Sequence, residues 1–317
     1  MRTLALILSI PPLLIAQDSY KQFQSRFDYD RRIPLDIRGS GVERRGGVAI
    51  HDLSYAGPKG GRVPAYVVVP DGGGPFAAII MAHWMMKGSP VANRREFLEE
   101  AVVLARAGAI CLLPDAPFVR PGAAPFPDDF LDPTLNQMLE QQVFDLRRGV
   151  DLLLGRREVD RKRVAYVGHS FDAHAGAILA GVEKRIRAFV LMAGVLALEE
   201  GMLRDDVPDL VKWRKEMGEA KIRAHLSANR KFDPVYYLAH ATPAALLFQQ
   251  ARQDSLAGEP FASAGFRHAS EPKTLRLYNA AHALNAEARR DRVAWLAVRL
   301  GLQPPDEKTV AAIPEVK

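Results

Sequence analysis

The chain has 317 residues, 48% of them hydrophobic and 25% charged, which suits one large α/β domain or two small ones and excludes a disordered chain. At this length a single domain buries about three quarters of its unfolded surface, so no disulfide or metal is needed for folding. A lone cysteine, Cys111, excludes an intramolecular disulfide framework and every CxxC zinc or redox motif. Forty-three Lys and Arg against 37 Asp and Glu leave a net charge of +6. No long run of like charge accompanies it, so nucleic-acid binding has no local support.

In chain order, Met1-Arg2-Thr3 is followed by an apolar run from Leu4 to Ala16 and then by polar Gln17-Asp18-Ser19. The run is too short to cross ~30 Å of hydrocarbon as a helix. Residues 1–16 read as a secretory signal peptide cut after Ala16, with an uncleaved anchor as the alternative. The expectation is a secreted or periplasmic protein with no membrane span in the mature chain. Residues 17–44 read as an N-terminal extension, 45–301 as the main domain and 302–317 as a tail.

Within the main domain, Arg62–Pro70 is β-branched and ends in the turn Asp71-Gly72-Gly73-Gly74-Pro75. Residues 77–83 and 109–114 are continuous apolar runs, as expected of strands covered on both faces. Between them, residues 96–107 have helical spacing and Gly108 stands where a helix stops. Residues 136–155 carry Leu139, Val143, Leu146, Val150 and Leu153 on one stripe, the mark of an amphipathic helix. Further strands are predicted at 164–167, 188–192, 244–248 and 275–278, with a closing helix at 289–300. Strands alternating with helices imply a mostly parallel central sheet with helices on both faces. Residues 195–240, charged and helical in pattern, read as a small cap insertion or as a surface decoration.

The chemistry begins at Val164-Ala165-Tyr166-Val167-Gly168-His169-Ser170-Phe171-Asp172-Ala173, an apolar strand running into a small-residue helix with a serine at the turn. This segment resembles the nucleophile elbow of the α/β-hydrolase fold. There the serine backbone is strained, so residues two positions away must be small. Gly168 meets that demand and Asp172 departs from it, its charge expected to lie in the first turn where the helix dipole favours it. The resemblance implies the chain order Ser, acid, His. It thereby assigns the acid to Asp254, just past the penultimate strand, and the base to His282, on the loop before the closing helix. His282 would take the proton of Ser170, and Asp254 would hold the ring in its tautomer.

The same resemblance places one oxyanion donor at the backbone N–H of Phe171 and the second in the loop His83-Trp84-Met85-Met86-Lys87-Gly88, at Met85 with Trp84 as second choice. Trp84 stands where the family often has Gly. Trp84 and Met86 are expected to line an apolar acyl or alcohol pocket, core filling being the alternative. His83, His169 and His174 read as structural, and the Pro- and Gly-rich loop opened by Asp115 as a rim of the pocket. No HExxH, P-loop or helix-opening GxGxxG occurs, so neither metal nor nucleotide cofactor is expected.

From about residue 45 to 301 the chain looks like the dienelactone hydrolase and prolyl-oligopeptidase-related branch of the α/β-hydrolase superfamily. The pattern from Arg62 to His83, Asp233-Pro234 and Tyr236-Tyr237-Leu238 carry that resemblance. It implies hydrolysis of small-molecule carboxylic esters or lactones through an acyl-enzyme without cofactor. An amidase or exopeptidase of the same fold is the alternative within enzymes. A catalytically silent binding protein is the alternative outside them, kept open by Asp172 and Trp84. The oligomeric state is not legible in the sequence.

Overall fold

The computed structural model describes residues 20–315, with the side chain of Pro260 set aside, so the leader and its cut after Ala16 lie outside the described residues. Nine strands form one sheet: β1 (Arg38–Arg44), β2 (Val48–Ala56), β3 (Arg62–Pro70), β4 (Phe76–Ala82), β5 (Ala109–Pro114), β6 (Val159–His169), β7 (Ala188–Met192), β8 (Ala245–Ala251) and β9 (Lys273–Tyr278). Their spatial order is β1-β2-β3-β5-β4-β6-β7-β8-β9. The first three and the β3–β5 pair are antiparallel, and every pair from β5 to β9 is parallel. The principal helices are α1 (Leu98–Arg106), α2 (Pro133–Leu154), α3 (Phe171–Val182) and α9 (Ala286–Leu300). The expected α/β architecture is the one found.

The parallel strands are apolar on both faces because both are covered. In β4, Ala78, Ile80 and Ala82 enter the core under α2 and α3, while Ala77, Ile79 and Met81 enter the core under α1 and α9. Strands β5, β6, β7 and β8 split in the same two-residue period. Capping explains where the helices begin and end. Asp132 accepts from Thr134 N at the start of α2, which takes Pro133 at its first position. Asn285 accepts from Ala288 N at the start of α9, and Gly301, at φ 59°, ends it.

Strand β2 and the helix Glu259–His268 stand where the sequence reading placed no element, and the following also differ from it. Strand β1 falls in the presumed extension; all seven of its residues are exposed, so no apolar alternation announces it, and its ladder to β2 holds it. Strand β6 starts at Val159 rather than 164, its first half hidden by the charged run Asp160-Arg161-Lys162-Arg163. The presumed tail contains α10 (Glu307–Ala311), which buries Val310 and Ile313 against the core beside α1.

Residues 195–240 hold the helices α4 (Leu198–Met202), α5 (Pro208–Met217), α6 (Glu219–Ala228) and α7 (Val235–Leu238). Leu198, Ile222 and Leu226 form a separate apolar cluster there, with Phe130 and Trp213 packed on it. Buried Asp233 ties the two ends of this segment together, its carboxyl oxygens accepting from Leu198 N and Glu199 N. The remaining helix, α8 (Glu259–His268), lies between β8 and β9. Among the described residues no helix is long and apolar enough to cross a membrane.

Candidate active site

The carboxyl ends of β4, β6, β8 and β9 converge, and each delivers one part of the site, as open α/β sheets commonly do. Strand β6 ends at His169, and Ser170 turns the chain into α3 with φ 56° and ψ −111°, a conformation a residue with a side chain rarely adopts. Close packing enforces it. A Cβ on Gly168 would lie 2.3 Å from the Asp172 carbonyl oxygen and 2.6 Å from the Tyr166 ring, so only glycine fits.

Ser170 Oγ donates to His282 Nε2 at 2.8 Å, and His282 Nδ1 donates to Asp254 Oδ2 at 2.8 Å. Asp254 Oδ1 accepts from the backbone N–H of Leu256 (2.8 Å) and of Ala257 (3.0 Å). Burial alone would raise the Asp254 carboxyl; the hydrogen bonds from His282 and from these amides outweigh it and hold the carboxyl below its ordinary value. The acid is therefore ionised at neutral pH, and its charge fixes the His282 proton on Nδ1. The lone pair of Nε2 then faces the hydroxyl, as a general base requires.

The loop after β4 supplies the other half. Trp84 N–H is spent on Glu96 Oε2 at 2.6 Å, which removes it as an oxyanion donor. Met85 lines the cavity beside Ser170, as does Phe171. Among the described residues neither Met85 N–H nor Phe171 N–H donates to another group. His83 is structural as expected: Nδ1 donates to Trp84 O (2.8 Å) and Nε2 accepts from Ala116 N (2.9 Å).

The cavity over Ser170 and His282 measures about 230 Å³. Its walls include Met85, Phe126, Phe130, Phe171, Val195, Leu198, Met202 and Leu256. Residues 195–240 thus contribute to a wall of the cavity, and the loop from Asp115 contributes Phe126. A larger cleft of about 630 Å³, between β1, β2, α1 and the C-terminal segment, contains none of the three triad residues. The expected pocket roles of Trp84 and Met86 are corrected. Neither lines the cavity, and Trp84, 2% exposed, lies stacked on the His169 ring (centroids 5.0 Å apart) and in line with His282 (6.3 Å). A wide apolar ring gains more from that dry stack than from a wet wall.

Asp172 is likewise corrected. Its side chain is fully buried and reaches α2, where Oδ1 accepts from Gln142 Nε2 at 2.7 Å. Desolvation pushes its carboxyl up to about 8, which overrides the helix dipole, so the group is neutral at pH 7 rather than a dipole-stabilised charge. Oδ2 and Gln142 Oε1 are both buried without a partner among the described residues, and a proton on Oδ2 makes one of these two acceptors a donor. A carboxyl raised by folding contributes most stability below its ordinary range and loses it as pH climbs toward about 8. Asp172→Asn, which keeps the shape and cannot ionise, is therefore expected to gain stability over the parent by roughly 4 kcal/mol more at about pH 8 than at about pH 5. Paired urea titrations at the two pH values measure this; parallel curves at both would show that Asp172 does not carry the burden.

Strain at the elbow, an aligned Ser–His–Asp chain and a sheet mostly parallel with helices on both faces together define the α/β-hydrolase fold. Solved structures agree. An acetyl xylan esterase from Paenibacillus sp. R4 superposes with a TM-score of 0.65 at 19% identity, covering 94% of this chain and 97% of that one. Acetyl xylan esterase 1 from Thermoanaerobacterium sp. gives 0.64 at 14% identity, covering 87% and 94%. An S-formylglutathione hydrolase from Agrobacterium tumefaciens gives 0.59 at 18% identity, covering 83% and 100%. No protein-family model and no curated protein matches the sequence, so the likeness is one of fold.

Proposed function

We propose that this protein is a serine hydrolase that cleaves carboxylic esters through an acyl-enzyme. The observation that carries the reading is the unbroken 2.8 Å relay from Ser170 to His282 to Asp254, set under a strained elbow. Solved esterases and hydrolases of the same fold support the reaction class.

In the mechanism, His282 Nε2 takes the Ser170 proton as Oγ attacks the ester carbonyl. The tetrahedral oxyanion is received by the N–H groups of Phe171 and Met85, both unspent in the free enzyme. Protonated His282 gives its proton to the departing alkoxide, and the alcohol leaves. Water then repeats the sequence on the acyl-enzyme: His282 removes its proton, and Ser170 Oγ leaves with it, releasing the acid. Asp254 stabilises the imidazolium in both halves and stays ionised.

The cavity favours an ester with an apolar group. At about 30 Å³ per water-sized group, it holds roughly eight such groups, the scale of a six- to eight-carbon chain or a substituted phenyl ring. With ~0.8 kcal/mol for each methylene buried, kcat/KM on p-nitrophenyl esters is expected to rise about fourfold per methylene and to fall once the chain outgrows the cavity. Turnover of p-nitroanilides without esters would show an amidase. A folded protein that turns over neither would be a silent binding protein.

A further inference from the structure

The residue ahead of the nucleophile, His169, has a side chain with no solvent exposure, as has Glu96 beside it. Nδ1 of His169 is 2.6 Å from Glu96 Oε1, and Nε2 is 2.9 Å from the main-chain oxygen of His282. A carbonyl oxygen carries no proton, so Nε2 must donate to it. Nδ1 faces a carboxylate, so a second proton is held between that nitrogen and Oε1. The pair is neutral as a unit, whichever atom the proton sits on. The other carboxylate oxygen, Oε2, accepts the N–H of Trp84. Above this unit Trp84 stacks on His169 with an interplanar angle of 18°, and His169 stacks on His282 with centroids 5.4 Å apart.

Two loops that are far apart in sequence therefore end on one buried side-chain pair. The loop after β4, which places Met85 N–H, is tied through Trp84 to Glu96. The loop after β9, which places the imidazole of His282, is tied through its own backbone to His169. We propose that Glu96 and His169 are positioning residues that set the oxyanion donor and the general base in mutual register across the nucleophile. The inference rests on the esterase reading of Ser170 and His282. Neither residue touches the substrate cavity, so both act through the groups they hold.

Donor bookkeeping supplies the test. In Glu96→Gln every bond can be remade: the amide oxygen accepts from Trp84 N–H, and the amide N–H donates to a neutral His169 whose Nε2–H still reaches His282 O. Glu96→Leu removes both acceptors, and His169→Phe keeps the stacked ring but deletes both of its bonds. A displacement of about 1 Å at a reacting group costs on the order of 10²-fold. Glu96→Leu and His169→Phe are thus expected to lose about 10²-fold in kcat on the best p-nitrophenyl ester with KM within about threefold, while Glu96→Gln stays within about threefold of the parent in both. A purely structural role would instead scale with melting temperature and would not separate kcat from KM.

Equal kcat in the parent and in either folded deletion variant overturns the proposal, as does a Glu96→Gln loss as deep as that of Glu96→Leu. A proton-NMR measurement is independent of turnover. The low-field ring proton shared with Glu96 should persist in Ser170→Ala and vanish in Glu96→Gln, and its absence from Ser170→Ala also overturns the assignment. A parent enzyme that hydrolyses no ester yet shows this proton would instead strike the functional reading beneath.

Discussion

Ser170→Ala lowers kcat on the preferred p-nitrophenyl ester by about 10⁵-fold or more, with KM little changed. Among the described residues the serine hydroxyl is the only hydrogen-bond partner of His282 Nε2, at 2.8 Å, so its removal leaves the base with nothing to activate but water. The cavity walls and the two backbone donors remain, so ground-state binding survives. His282→Ala is expected to cost a similar factor, and the double variant no more than either single one, because the two act as one unit. Stopped-flow and steady-state assays on the three variants check this. A double variant whose loss is the product of the single losses would mean that the residues work independently, and the relay would not be the catalytic device.

Asp254→Asn loses about 10⁴-fold in kcat, as the same exchange does in the triad of unrelated serine proteases. The local hydrogen bonds dictate the reason. Two backbone amides, of Leu256 and Ala257, donate to one carboxylate oxygen and His282 to the other. In the amide variant the oxygen is claimed by the backbone donors, so the –NH₂ faces His282 Nδ1. The imidazole must then accept there and carry its proton on Nε2, where it blocks the serine. The fold is preserved, so the loss appears in kcat with the melting temperature nearly unchanged. A kcat within tenfold of the parent would show that the tautomer is set by some other group.

The three residues of the proposed triad, which the structure brings into hydrogen-bond contact, were legible because each is announced locally. Ser170 sits at a strand-to-helix turn with Gly168 before it, and Asp254 and His282 follow the last two strands in the order the fold requires. What surrounds them is nonlocal. Glu96 lies 73 positions before His169, and only the folded sheet brings them to 2.6 Å. Trp84 carries an aromatic ring, which suits a pocket and a core equally well in sequence; the Glu96 bond and the His169 stack decide it for the core. Asp172 departs from the expected small residue because its side chain is turned onto Gln142 of α2, a partner that helical spacing alone cannot reveal. Strand β1 escaped because a fully exposed edge strand has no hydrophobic period to read.

Reaction of the intact protein with a fluorophosphonate, followed by peptide mapping, probes the nucleophile, its base and the oxyanion donors in one step. Ser170 is expected to be phosphonylated stoichiometrically, with the labelling abolished in His282→Ala even though the hydroxyl is still present. Labelling that falls on another residue, or no labelling of a well-folded protein, would contradict it.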